Sequence, residues 1–368
     1  MGISGDNFTK MSESFTLRRP IGNAQDIRIR FNLEFLKGCQ FHCPGCYVNR
    51  NNTYSDRDLD IISAAQADFK ENGYIFDEII LGPTDFFSAY NTEELLTNPK
   101  FYRLFDRSTV LTILSTLQNS ESDILRRIDL VNKYLDNDIE IEILIPFEFE
   151  EVLNQNTHYI DSLKSKINLL NNLNCHTEYA FQLNIQNIKD PSQFDLKLIS
   201  DLVWKNLGSI TEFNPSFMRT SSDKLVQSTI KSWNQMLSTH FTKSNVSGDE
   251  KITFTMANKN HAGFNEITYN FSHGKFYSCP FIYENVFDKG DNFLIECENE
   301  DGVYKLSDFL KHRDLINKKQ LNYLSETDEC QTCPHSISCV SKQVIDYMMD
   351  KEIKYCILAK DVLDLFPH

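Results

Sequence analysis

Where the chain first shows a pattern, apolar and polar residues alternate one for one. Ile27, Ile29, Phe31, Leu33 and Phe35 interleave with Arg28, Arg30, Asn32 and Glu34. A period of two sends successive side chains to opposite faces, which predicts a strand with one apolar and one polar face. The signature returns at Ile139, Ile141, Ile143 and Ile145 around Glu140 and Glu142. It returns again at Tyr179, Phe181, Leu183 and Ile185 around Gln182, Asn184 and Gln186. Further strands are predicted near 74–81, 110–115 and 209–214, with helical stretches near 121–135, 159–173 and 194–206. Ser55 with Asp58 reads as a capping box opening another helix, whose apolar side includes Leu59, Ile62 and Phe69.

Strands alternating with helices imply a parallel α/β sheet, either open or curled into a barrel. A parallel sheet covered on both faces does not require polar faces on its strands. If the apolar faces pack on outer helices, the polar ones line a hydrophilic lumen suited to a polar or peptide-like substrate. The alternative is that these residues meet solvent at an open sheet edge, the first strand above all.

Before the first strand, residues 1–26 read as an irregular arm. A helix near 223–241 closes the first domain, 27–244, and residues 245–250 read as a linker around Ser247 and Gly248. Beyond it, 252–256 and 267–278 predict small antiparallel strands, the latter run turning at Ser272 to Gly274. The second domain spans 245–368.

Charge narrows the partners. Acidic residues outnumber basic ones 52 to 37, for a net charge of -15 over 368 residues. Such a surface repels phosphate backbones, and Arg18 with Arg19 make too small a basic patch to offset it, so no nucleic-acid partner is expected. No positively charged segment leads into an apolar run, and no stretch of about 18 apolar residues occurs, so neither a signal peptide nor a membrane span is expected. The expectation is a cytoplasmic protein, whose ten cysteines serve as metal ligands rather than disulfides.

Those cysteines are clustered, with Cys175 well apart from the others. Directly after the first strand comes Cys39-Gln-Phe-His-Cys43-Pro-Gly-Cys46. Three thiolates on one short loop can hold three irons of a cubane and leave the fourth iron open. A zinc site is the other reading, although zinc ligands more often come as two separated Cys-x2-Cys pairs. The second array is Cys330-Gln-Thr-Cys333-Pro-His-Ser-Ile-Ser-Cys339, followed by Cys356, with Cys279 and Cys297 upstream.

The first array resembles the cluster loop of the radical S-adenosylmethionine (radical SAM) superfamily. The resemblance implies a partial (β/α)6 TIM-type barrel, a SAM-binding [4Fe-4S] cluster on Cys39, Cys43 and Cys46, and SAM chelated at the open iron. It implies reductive cleavage of SAM to a 5′-deoxyadenosyl radical that abstracts hydrogen from the substrate, the cofactor supplying the hard chemistry. An electron donor such as flavodoxin or ferredoxin is implied as well. Gly45 departs from the family, which usually has an aromatic residue before the third cysteine; Cys-Pro-Gly-Cys-Tyr is similar to the loop of the small activases of anaerobic ribonucleotide reductase. The family's Gly-Gly-Glu run corresponds to Leu81-Gly82-Pro83-Thr84-Asp85, which makes Gly82 and Asp85 SAM-binding candidates together with Ser115 and Tyr47. Glu34 and Glu142 are the candidates for acid-base work, and Gln182 and Asn184 for substrate contact.

The second array resembles the SPASM and twitch extensions of this superfamily, small α+β domains that hold auxiliary clusters. Asn292 stands where the pattern has glycine, Gln343 where it has a cysteine, and His273 where two-cluster members often have another. Two ligand sets compete: Cys330, Cys333, Cys339 and Cys356 for one auxiliary [4Fe-4S] cluster, or Cys279, Cys297, Cys330 and Cys333. The resemblance implies peptide or protein maturation by crosslink, thioether, epimerisation or oxidation. Only about 26 residues precede the first strand, which leaves no room for the N-terminal peptide-recognition domain that many peptide maturases carry and keeps a small-molecule dehydrogenase or epimerase in view. A non-catalytic zinc or electron-transfer protein is the reading from a different class.

Overall fold

The computed structural model describes residues 28–41, 53–106, 108–135, 139–148, 157–173, 175–182, 266–278, 293–299 and 301–326. The arm at 1–26, the strand near 209–214, the helices near 194–206 and 223–241, the linker and the strand at 252–256 lie outside these residues.

Strand β1 (Arg28–Leu33) is followed by α1 (Asp56–Glu71), β2 (Ile75–Leu81), α2 (Thr92–Thr97), α3 (Pro99–Tyr102), β3 (Val110–Leu114), α4 (Glu121–Tyr134), β4 (Ile141–Glu148), α5 (Thr157–Asn172) and β5 (His176–Gln182). Later in the chain come β6 (Glu266–Ser272), β7 (Lys275–Tyr277) and α6 (Leu306–Glu326). The strands form one sheet in the order β5-β4-β3-β2-β1-β6-β7. From β5 to β6 every neighbouring pair is parallel, and β6–β7 is an antiparallel hairpin. The architecture is therefore mixed α/β built on a parallel sheet.

Sequence dictates the helix starts. Ser55 accepts from the Asp58 backbone while Asp58 reaches back to the Ser55 backbone, the capping box expected for α1. Asn98 caps α3 through the Lys100 N–H, and Ser120 caps α4 through the Asp123 N–H. Each satisfies a backbone donor that a helix N-terminus otherwise leaves open.

The core lies on the apolar face. Ile29, Phe31 and Leu33 are fully buried, as are Ile79, Leu81, Leu111, Ile113, Ile143 and Ile145. Against them pack Leu59, Ile62 and Phe69 of α1, Ile124, Ile128 and Val131 of α4, and Leu163, Ile167 and Leu170 of α5. Phe31 is surrounded by rings: Phe76 at 4.8 Å, Phe276 at 5.0 Å and Phe69 at 6.1 Å between centroids. Each buried phenyl contributes about 2 kcal/mol of transfer free energy, so this aromatic group joins the N-terminal strands to the β6–β7 hairpin.

The polar face of β1 also forms as the alternation predicts, but not at an edge, while the side chains of the strand at 176–182 lie outside the described ones. β1 lies between β2 and β6, and Asn32 and Glu34 are 7% and 4% exposed. The open-edge alternative therefore fails for β1. The physical reason is that both edges of β1 are hydrogen-bonded, with β6 running parallel to it from Arg28↔Glu266 to Leu33↔Phe271. The hairpin expected at 267–278 is present, and it extends the main sheet instead of standing apart from it. Cys175 is buried, and burial pushes its thiol up to about 11, so it packs as a small apolar side chain.

Candidate active site

Functional groups of a parallel sheet collect where its strands end, because the loops there converge. In this chain the C-terminal ends of β1, β2, β3 and β6 carry three polar networks.

The first is centred on Asp85, four residues beyond β2. Its Oδ1 accepts from the Ser88 N–H at 2.9 Å and the Ser88 hydroxyl at 2.8 Å. Its Oδ2 accepts from the Ser115 hydroxyl at 3.0 Å, the Thr116 N–H at 2.7 Å and the Thr116 hydroxyl at 3.1 Å. Five donors fill the roughly four lone-pair sites of a carboxylate. Two of the predicted cofactor residues, Asp85 and Ser115, are thus brought together, and the carboxylate as placed holds the β2 and β3 loops to each other. Ser115 in turn accepts from the Leu117 N–H at 3.0 Å, and Lys166 of α5 donates to the Leu117 carbonyl at 2.7 Å. Leu117 needs both, since its φ of 53° is left-handed and costs a side-chain-bearing residue about 1–2 kcal/mol. Burial lowers the pKa of the Lys166 ammonium, with Glu121 opposing.

The second network spans β1 and β6. Asn270 is fully buried; its Nδ2 donates to Glu34 Oε1 at 2.8 Å, and its Oδ1 accepts from Asn32 Nδ2 at 2.7 Å. Gly82 sits beside this relay. A Cβ there would meet Leu114 Cδ1 at 2.8 Å and Asn32 Oδ1 at 3.3 Å, so a side chain would have to displace the end of Leu114 where β2 passes between β1 and β3. Farther down the same face, Arg30 Nε pairs with Glu78 at 2.8 Å and Thr112 donates to Glu78 at 2.6 Å. Glu142 belongs to that deeper level. It is Cα-paired with Thr112, three strands from Glu34 and so about 14 Å across the sheet. The structure does not bring the two predicted glutamates together at the strand ends.

The third network clamps the segment that leads to the cysteines. Asn91 accepts from the Lys37 N–H at 2.7 Å and donates to the Phe35 carbonyl at 2.9 Å. The Tyr90 N–H donates to the Lys37 carbonyl at 2.9 Å, and the Thr84 hydroxyl to the Leu36 carbonyl at 3.2 Å. The Tyr90 ring covers Gly38: a Cβ at Gly38 would lie 2.4 Å from it, and φ at Gly38 is +69°. Cys39, half-buried, follows immediately. Arg127 of α4 supports this clamp from behind, donating to the Phe86 carbonyl, to the Thr92 hydroxyl at 3.0 Å and to the Ala89 carbonyl at 2.9 Å. Burial, with Arg126 beside it, lowers the guanidinium pKa.

Other predicted positions are less fully placed. Gln182 is the last residue of β5. Cys297 is half-buried, with its thiol 3.7 Å from the Asn299 carbonyl. Nearby, Ser278 Oγ lies 2.8 Å from His312 Nε2 of α6, and the Ser278 N–H donates to the Phe293 carbonyl. Cys43, Cys46, Tyr47, Asn184, Cys279, Cys330, Cys333, Cys339 and Cys356 lie outside the described residues. Thiolate is the donor that iron-sulfur clusters require, so Cys39, the described cysteine of the first array, is chemically suited to such a group, as is its position at the strand ends. Among the described residues, no helix is long and apolar enough to cross a membrane.

Sequence reasoning missed Asn270, Asn91, Tyr90 and Arg127. Two of these left a signal. Ile267, Tyr269 and Phe271 alternate with Thr268, Asn270 and Ser272, and Arg127 shares the stripe of Ile124, Ile128 and Val131.

No protein-family model matches the chain, and no curated protein sequence does. Among solved structures, native anSMEcpe with bound AdoMet is similar at a TM-score of 0.53 and 8% identity, over 84% of this chain and 88% of that one. Native anSMEcpe with bound AdoMet and Cp18Cys peptide gives 0.51 and 8%, over 85% and 88%. Streptococcus suis SuiB bound to precursor peptide SuiA gives 0.49 and 13%, over 90% and 74%. At such identities the likeness is one of fold, and the chain shares its fold with a structure that holds AdoMet.

Proposed function

We propose that this protein is a radical SAM enzyme acting on a peptide or protein substrate. The observation that carries the reading is the place of Cys39, the first cysteine of the Cys-x3-Cys-x2-Cys sequence. Cys39 follows β1 at the C-terminal edge of a parallel sheet, in a fold shared with an AdoMet-bound structure. The thiolates of Cys39, Cys43 and Cys46 would hold a [4Fe-4S] cluster, and Cys330, Cys333, Cys339 and Cys356 an auxiliary one, with Cys279 and Cys297 as the competing ligands. When bound, the first cluster with SAM supplies a 5′-deoxyadenosyl radical that takes hydrogen from the substrate.

This chain's own residues then have distinct tasks. Gly82 keeps the floor between β1 and β3 low, Asp85 with Ser115 fixes the rim, and Glu34 presents a carboxylate oriented by Asn270. Such a carboxylate suits a substrate amine or a departing proton. Support for a peptide substrate comes from the peptide held by anSMEcpe and from the polar sheet face. We assign the partial barrel to 27–244 and the auxiliary-cluster domain to 245–368, the latter contributing β6 to the barrel's sheet. A reduced flavodoxin or ferredoxin and a cytoplasmic location complete the proposal.

The test is anaerobic reconstitution of the wild type and of a variant with Cys39, Cys43 and Cys46 all changed to Ala. About eight irons falling to about four, with loss of dithionite-driven 5′-deoxyadenosine, is the expected outcome. Zinc in place of iron, with SAM left intact, would overturn it in favour of a metal-stabilised binding protein.

A further inference from the structure

We propose that Arg127 is a positioning residue for the cysteine loop, acting through the 86–92 segment that clamps the two residues before Cys39. The inference rests on the radical SAM reading only for what the loop holds.

Arg127 is 9% exposed, and its acceptors among the described residues are two carbonyls and a hydroxyl, all within 86–92. Its neighbour Arg126 points outward and pairs with Glu93. Burying a guanidinium in an apolar stripe is a poor way to gain stability, since a well-packed hydrophobe at such a site is often as stable or more so. What the guanidinium adds is geometry. A planar fork fixes three acceptors relative to one another in a way that neither an ammonium nor an alkyl chain can.

Those acceptors alternate along the chain with the groups that hold the cysteine segment. Phe86, Ala89 and Thr92 bind Arg127, while Tyr90 and Asn91 bind Lys37, Phe35 and the face of Gly38. Asp85 anchors the start of the same loop. With Arg127 gone, Asp85 still holds one end and the Thr92 hydroxyl still reaches the Phe86 and Ala89 carbonyls at 2.9 and 3.3 Å, but the planar fork that locks these groups and so aims Tyr90 and Asn91 at Lys37 is lost. The Cys39 thiol then samples a wider range of positions.

The experiment compares wild type, Arg127→Met, Arg127→Lys and the outward-facing control Arg126→Met, all as full-length chains. Hydrogen exchange of the metal-free proteins reads the Lys37 and Tyr90 amides directly. The Leu111 amide, bonded to the Glu140 carbonyl in the sheet, serves as the internal reference. Arg127→Met should speed exchange at Lys37 and Tyr90 by about tenfold or more with Leu111 unchanged, Arg127→Lys by less, and Arg126→Met not at all. After reconstitution, the SAM-induced change in the reduced-cluster EPR signal should broaden in the same order. If Arg127→Met does not fold, Arg127→Lys carries the comparison. Lys37 and Tyr90 amides that stay as protected as in wild type, or that loosen in parallel with Leu111, would overturn the proposal. A wild-type protein with no SAM-responsive signal would instead sink the radical SAM reading, and the exchange data would still decide whether Arg127 holds the loop.

Discussion

Asp85 and Glu34 are both buried carboxylates at the C-terminal edge of the sheet, and they are built in opposite ways. Asp85 collects five donors from Ser88, Ser115 and Thr116, none more than 31 positions away. Glu34 is oriented by Asn270, 236 positions away, which is itself held by Asn32. The first is a saturated joint between two neighbouring loops. The second is a carboxylate oriented by an amide relay, and the relay exists only when distant parts of the chain have met. Saturation by five donors suits a framing role.

Removing the joint should have the largest effect. Asp85→Ala strands five donors, and a loss of about 4 kcal/mol in denaturant unfolding is expected, with Asp85→Asn near half of that. A loss under about 1 kcal/mol for the alanine variant would mean that water replaces the carboxylate readily and that the joint is not a frame.

The clamp built on that joint comes next. Gly38→Ala should cost about 3 kcal/mol, part from the left-handed backbone and part from the Tyr90 ring. Adding Tyr90→Ala should return the loss to about 1–2 kcal/mol, and a strictly additive double variant would show that the ring does not rest on Gly38.

Breaking the relay should cost less in stability and reveal its charge. Asn270→Leu leaves Glu34 and Asn32 without their shared partner, for about 2–3 kcal/mol. Asn270→Asp sets a second carboxylate against Glu34 and raises the folded-state pKa of the pair. Its penalty should therefore be nearly absent at pH 4 and grow as pH rises toward 7; a pH-independent loss would contradict the placement of Asn270 beside Glu34.

Glu34→Gln should change stability least, by under about 1 kcal/mol, because the amide oxygen can accept the same bond from Asn270. If Glu34 serves the substrate, this variant should still form 5′-deoxyadenosine while turnover to product falls at least about tenfold. Unchanged product formation would leave Glu34 as a structural residue only.

The difference between the two carboxylates also explains what the sequence made legible. Ile29, Phe31 and Leu33 announce β1 by period alone and Ser55 with Asp58 announces α1, whereas Asp85 is reached only through the resemblance of 81–85 to a family motif. The first two are local signals, written within a few residues of the feature. The pairing of β1 with β6 is not local: nothing near Ile267 or Tyr269 says that the partner lies some 238 positions back. Arg127 is an intermediate case, since a charge in the Ile124, Ile128, Val131 stripe is visible in the sequence but its acceptors are not. The hairpin at 267–278 was readable as a hairpin, while its membership of the main sheet came from aromatic packing of Tyr269, Phe276 and Phe309 that no periodicity encodes.

The interior position of β1 has a consequence in time. Protein synthesis delivers β1 first and its second neighbour last, and at 5–20 residues per second the interval between the end of β5 and the start of β6 is roughly 4–17 s. Until β6 arrives, the β1 edge that it will occupy, just before Cys39, lacks that partner and is open to mispairing with another copy. Chains stalled with the hairpin held inside or released from the ribosome, compared by proteolysis of β1, should show protection arriving in one step. A cell making this protein thus has a window, set by translation speed, in which Cys39 is joined to a half-built sheet.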